Sequence, residues 1–258
     1  MKPIHIFHRK SPDRIGLIDE VRGFAILCMV VYHAFYDLIV LFGVDIPFFY
    51  SPLMNGIRDA FAGLFIFISG AACRFSHSNL RRGVICFGFG MVLTVVTAIF
   101  MPDELIVFGI LHMLGVAMIL FPLCKPILDR LPLWLSAALL MLLAVFTWNL
   151  SHGTVGIPGL WNLSVPDGPY RLGWLFWLGF PGDLFSSADY FPLLPWLFIF
   201  LLGSLFGKLL VEKKLPGFFY RTHCRPLAFV GRNTLVIYVL HQPVVYLLIW
   251  LIAQLCGK

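Results

Sequence analysis

Asp19, Arg22, His33 and Asp37 lie in one largely apolar stretch of the chain, and they are the residues whose types and spacing suggest chemistry. At about 100° per residue they fall, with Ile26, within an arc of about 60° on a single helix, so the ionisable groups form one stripe. A carboxylate one turn beyond an imidazole can fix its tautomer or raise its proton affinity, as Asp37 would for His33 in a general-base arrangement. A charged group deep in a bilayer costs about 2.5–3.5 kcal/mol on insertion scales, so such residues face a bundle interior or a wet cavity. Arg22 and His33 are about 16 Å apart along a helix, which puts His33 near the midplane if Arg22 sits at a membrane surface. The plainer alternative for Asp19 and Arg22 is an i,i+3 ion pair at the membrane edge.

His112 and His241 are two further imidazoles in apolar surroundings. His112 is expected about 10 Å below one edge of a fourth helix, and His241 about 14 Å from the other edge of a last helix. Either histidine can instead bridge neighbouring helices by hydrogen bonds. Pro243, two residues after His241, is expected to distort the last helix and free carbonyls one turn earlier.

These side chains need a membrane bundle to hold them. The 258 residues are 60% hydrophobic and 12% charged, about half the charge of a soluble domain, so the expected fold is an all-α integral membrane protein. Seven spans are predicted near 15–42, 59–75, 83–101, 105–124, 131–150, 191–211 and 228–255, within a single domain covering 1–258. Lys2, Arg9, Lys10 and Arg14 share one side with Arg74, Arg81, Arg82, Lys125, Arg130 and Lys208, whereas Asp45, Asp103, Glu104 and Asp167 share the other. The positive-inside rule then places the N-terminus in the cytoplasm. The net charge of +6 resides in these short clusters between apolar runs, as topology signals do, and does not mark a nucleic-acid binder. Cys28, Cys73, Cys86, Cys124, Cys224 and Cys256 lack ligand spacing, so neither a metal site nor a disulfide framework is expected. The first apolar run is too long and too charged for a signal peptide and reads as an uncleaved helix.

One long connection, 151–190, is predicted on the outer side, rich in Gly, Pro and Trp. Trp161, Trp174 and Trp177 offer flat apolar surfaces for a sugar or for the membrane interface. Ser186-Ser187-Ala188-Asp189, with Pro192 and Pro195 after it, reads as the start of the next helix.

Asp19-Glu20-Val21-Arg22-Gly23, with His33 eleven residues beyond Arg22, resembles the opening of the transmembrane acyltransferases. Phe65 to Gly70, Phe108 to His112, Asp189 to Trp196, and Gly231 to Tyr238 with His241-Gln242-Pro243 resemble the compact bacterial branch called DUF1624. That branch is grouped with the catalytic domain of heparan-alpha-glucosaminide N-acetyltransferase. One departure is that the connection from Asp45 to Asp59 contains Met54-Asn55-Gly56 but no histidine, where the heparan-acetylating branch places its own.

The resemblance implies transfer of an acyl group, expected to be acetyl, from cytoplasmic acetyl-CoA to a hydroxyl or amine of a glycan or glycolipid at the outer face. It also implies a bacterial inner membrane location. Arg22, Arg81 and Arg82 are candidates for the donor phosphates, since guanidinium donors match phosphate geometry. His33, Asp37, Arg22 and Asp19 form the candidate catalytic set; His112, His241, Asp189, Trp161 and Trp174 are candidates for the acceptor. A proton-coupled transporter or flippase using the same stripe, and a non-catalytic scaffold, remain alternatives.

Overall fold

The computed structural model describes residues 15–255. Lys2, Arg9, Lys10, Arg14 and Cys256 lie outside the described residues. The elements in order are α1 (Gly16–Val40), α2 (Pro52–Cys73), α3 (Asn79–Phe100), α4 (Ile110–Arg130) and α5 (Leu133–Phe146); an antiparallel hairpin of β1 (Thr154–Ile157) and β2 (Trp161–Ser164); and α6 (Gly168–Arg171), α7 (Leu193–Val211), α8 (Arg225–Arg232) and α9 (Thr234–Leu255). Among the described residues seven helices are long and apolar enough to cross a membrane: α1 to α5, α7 and α9, with α5 continuing through a short turn to His152. The chain is therefore an all-α, multi-pass membrane protein. One end of the bundle carries Arg74, Arg81, Arg82 and Lys208 (the basic end), and the other carries Glu104 and the 151–190 connection (the loop end).

Three helix boundaries differ from expectation. α2 begins at Pro52, seven residues before the expected 59, because Ser51 caps it by accepting the Met54 N–H at 3.2 Å and proline fills the first helical position. Met54-Asn55-Gly56 is thus helical rather than part of a connection. α4 begins at Ile110 rather than 105, because the preceding residues run beside the long connection: Ala188 donates its N–H to the Leu105 carbonyl (3.0 Å) and Phe191 to that of Phe108 (2.9 Å). The expected last helix is split at Asn233 (φ −109, ψ 18) into α8 and α9, whereas α9 continues through Pro243.

Glycines set three of the closest helix pairs. A Cβ on Gly231 of α8 would collide with the Asp19 carbonyl of α1, one on Gly203 of α7 with the Phe67 carbonyl of α2, and one on Gly115 of α4 with the Phe87 backbone of α3. Small residues that let backbones approach are how helices associate where lipid supplies no hydrophobic drive. The core fills in where α2, α4 and α7 meet, around Ile66, Met113, Phe121 and Phe200. At the basic end Arg74 of α2 makes two bonds to Asp129 of α4 (2.8 and 2.9 Å) and one to the Ser204 carbonyl of α7 (3.1 Å). α1 packs on α2 and α9 packs on α1, whereas α3 packs on α4, so that, among the described residues, α3 packs closely on neither α1 nor α9.

Candidate active site

The separation of α3 from α1 and α9 produces a cavity of about 1420 Å³, with further walls from α2, the start of α7 and residues 185–192. His33, Asp37, Glu104, Asp189, His241 and Gln242 all line it. Its volume exceeds the 300–1,000 Å³ or so of an ordinary small-molecule pocket, leaving room for parts of two substrates.

His33 on α1 and His241 on α9 form a pair, with ring centroids 5.0 Å apart and planes at 66°. Each ring is held by its own helix: Nδ1 of His33 lies 3.0 Å from the Met29 carbonyl, and Nδ1 of His241 lies 2.6 Å from that of Tyr238. A carbonyl only accepts, so both Nδ1 atoms carry the proton, and in the neutral rings both Nε2 atoms present a lone pair. The backbone therefore fixes the His33 tautomer, the role expected of Asp37.

Asp37 is turned to α9 instead. Its Oδ1 accepts from the Gln242 side-chain amide at 2.5 Å, and its Oδ2 has no hydrogen-bond partner, so the carboxylate makes no bond to His33. One helical turn brings Asp37 beneath His33, but the α9 amide is the donor that reaches a carboxylate with no solvent exposure. Three buried atoms at this level, Asp37 Oδ2, His241 Nε2 and Gln242 Oε1, lack partners, and all three are acceptors in these states. Buried polar groups are normally satisfied, so this cluster is suited to a ligand that donates several hydrogen bonds.

The other half of the stripe does a different job at the basic end. Glu20 Oε1 accepts the N–H groups of His223 (2.5 Å) and Cys224 (2.9 Å) at the start of α8. Asp19 is flanked by Arg22 at 3.8 Å and by Arg232 of α8 at 3.4 Å, and a Cβ on Gly23 would strike the Leu227 carbonyl. Asp19-Glu20-Val21-Arg22-Gly23 thus clamps α8 across α1 and fixes where α9 starts. The cavity ends at Phe24 and Ala25, just beyond Arg22, which does not line it.

A family model described as heparan-alpha-glucosaminide N-acetyltransferase, catalytic, matches residues 14–243. The chain belongs to that family. The match runs from two residues before α1 through Pro243, so it includes the clamp, both imidazoles, Asp37 and Gln242. No curated protein and no solved structure matches the chain.

In this member of the N-acetyltransferase family the remaining candidates are dispersed. Asp189 lines the cavity, but its Oδ2 accepts the Ile110 N–H (3.2 Å) and the Tyr238 hydroxyl (3.3 Å), so it joins the start of α4 to α9. Burial pushes its carboxyl above the usual carboxylate range, against the opposing pull of those two donors. Ser187 likewise accepts the Val107 N–H (3.1 Å); the Ser-Ser-Ala-Asp stretch expected to start α7 serves the neighbouring helix instead. Trp161 and Trp174 are exposed and away from the cavity, and Trp148 and Trp196, centroids 5.4 Å apart, supply its flat aromatic wall. Arg81 and Arg82 are exposed in the first turn of α3 at the basic end.

His112 does not line the cavity. It is the third residue of α4, with Nδ1 accepting the Gly109 N–H at 3.2 Å and Nε2 at 3.3 Å from the Thr94 hydroxyl, between the rings of Phe87 and Phe108. It is a cap that ties α4 to α3. His112→Ala is expected to cost about 1 kcal/mol of stability and leave turnover per folded molecule near the parent value. Unfolding midpoints measured alongside rates check this, and an intact midpoint with lost turnover would return His112 to the chemistry.

Arg58, Tyr36 and Glu104 also line the cavity, although none of the three is among the site residues expected from the sequence. Tyr36 of α1 donates to Glu104 at 2.6 Å and bridges α1 to the α3 end of the bundle. Arg58 pairs with Asp59 at 2.8 Å in α2. Starting α2 from Ser51-Pro52, a cap followed by a first-turn proline, would have placed Arg58 on a helix rather than in a loop.

Proposed function

We propose that this protein transfers an acyl group, acetyl in the simplest case, from acetyl-CoA to a hydroxyl or amine of a glycan or glycolipid. The basic end faces the cytoplasm of a bacterial inner membrane, and the acceptor is reached from the opposite side. The observation that carries this reading is the His33–His241 pair, which lines a cavity large enough for parts of both substrates, in a chain of an acetyltransferase catalytic family.

The donor fits the chain in two respects. Arginines stand at the basic end, and the cavity begins within one turn of Arg22, so a phosphate-bearing head held by Arg22, Arg81 and Arg82 would point its acyl arm along α1. Bound there, the donor would supply an activated acyl thioester. His33 Nε2 takes the proton of the acceptor O–H or N–H as that oxygen or nitrogen bonds to the acyl carbon and the C–S bond breaks, then passes the proton to the departing thiolate. Gln242 and Asp37 hold α9 against α1 so that His241 meets the acceptor on the other side. Walls drawn largely from apolar side chains exclude competing water.

The test is to incubate purified protein in lipid nanodiscs with acetyl-labelled acetyl-CoA and follow release and transfer of label. Label that leaves CoA at a protein-dependent rate, and stops doing so when His33 is replaced, supports the reading. No release together with no CoA binding would overturn it.

A further inference from the structure

We infer that the acceptor is an amphiphile, a hydroxylated sugar-like head on a hydrocarbon tail, which reaches the imidazole pair sideways from the membrane through the gap between α3 and the α1/α9 pair. This inference rests on the acyl-transfer reading and adds the class of acceptor.

Three observations converge on it. The first is the head site: Asp37 Oδ2, His241 Nε2 and Gln242 Oε1 are buried acceptors without partners, carried by three residues that line the cavity. Asp37 has no exposure and His241 only 9%. A set of acceptors calls for a ligand rich in donors, and a polyol or amino sugar presents several O–H or N–H groups on one small rigid frame. A phosphate or carboxylate would bring further acceptors and charge against Asp37, so it does not suit the site.

The second is the side opening. Val31 of α1, Val92 and Val96 of α3, and Leu240 and Tyr246 of α9 line the cavity, and each is more than 40% exposed. Helix residues of this kind at the edge of a membrane bundle contact hydrocarbon. Val92 and Val96 also belong, with Met91 and Val95, to a shallow apolar groove of about 250 Å³ on α3. An apolar track therefore runs from the cavity onto the lipid-facing surface of α3, as a tail anchored beside the head site would require.

The third is the bridge at the loop end. Tyr36 donates to Glu104 at 2.6 Å, joining α1 to the turn after α3, while the helices below stay apart. Residues 185–192 add a second cover. A soluble polysaccharide approaching from the aqueous side meets this bridge, whereas a molecule already in the leaflet at the loop end meets the gap beneath it.

The test uses dodecyl β-glucoside carrying a photoreactive diazirine in its tail, added to the parent protein in nanodiscs without acetyl-CoA. A diazirine-bearing hydrocarbon with no sugar serves as the reference. Expected labelling concentrates on peptides containing Val92, Val96, Leu240 and Tyr246. It falls several-fold in Val92→Trp and Val96→Trp but not in Val84→Trp, a lipid-exposed position on α3 away from the gap. Labelling spread like that of the sugar-free hydrocarbon, or unchanged by tryptophan in the gap, overturns the inference. The second arm adds acetyl-labelled CoA. Site-specific photolabelling without any acetylated glucoside supports the amphiphile site and counts against acyl transfer; acetylation of water-soluble methyl glucoside alone, with dispersed photolabelling, does the reverse.

Discussion

His33→Asn is expected to give a folded protein that binds the donor but transfers the acyl group about 10²–10⁴-fold more slowly than the parent, the usual cost of losing a general base. The prediction follows from how the ring nitrogens are bonded. Nδ1 is committed to the Met29 carbonyl, a bond internal to α1 that does not tie α1 to another helix. The asparagine amide can take over that bond, so helix packing should survive, but nothing then occupies the place of the Nε2 lone pair. Rates at saturating donor, with CoA affinity and unfolding midpoint measured on the same preparation, check it. Parent-like transfer by folded His33→Asn would remove His33 from the chemistry and leave His241 as the only imidazole of the pair.

Gln242→Leu is expected to cost about 1.5–3 kcal/mol of stability, the range for a hydrogen bond to a charged group, because it leaves both oxygens of the fully buried Asp37 without a partner. Replacing both members, Asp37→Leu with Gln242→Leu, should recover most of that loss, since no buried charge is then left unsatisfied. Transfer should nevertheless stay low in the double variant, which has lost two of the three acceptors proposed to meet the acceptor head. Unfolding in a single detergent across the four proteins of this cycle provides the measurement. A Gln242→Leu protein as stable as the parent would mean that Asp37 finds another donor or remains protonated.

Much of the architecture could be read from the chain because hydrocarbon imposes simple rules. Runs of about twenty apolar residues between clusters of Arg and Lys mark the spans with little ambiguity. Starts were harder to place than spans. Ser51-Pro52 did mark the beginning of α2, but the polar residues after it resemble a loop; Ser187 and Asp189 look like caps for the helix that follows them and in fact serve α4, which no local pattern discloses. The stripe on α1 was legible as a stripe, because periodicity alone places side chains on one face. Its division of labour was not: Asp37 could be counted one turn from His33, yet its partner is 205 residues away on α9. The pairing of His33 with His241 is likewise a tertiary fact, whereas each histidine was visible singly as an imidazole in an apolar helix. Trp161 and Trp174 show the reverse case, where residue type suggested a site and the hairpin carries one of them outward while the other stays exposed beyond α6.

The clamp at the basic end has a consequence for the register of the imidazole pair. α8 is fixed to α1 by Glu20, Asp19 and the contact of Gly231 with the Asp19 carbonyl, and ten residues separate Gly231 from His241. Adding or removing one residue within α9 before His241 would shift that ring by about 1.5 Å along the axis of α9 and swing it by about 100° around it, away from His33. Helical phase, set by chain length between a fixed point and a reactive ring, is thus part of what brings the two rings together, and a side-chain scan that leaves the length unchanged would never reveal it.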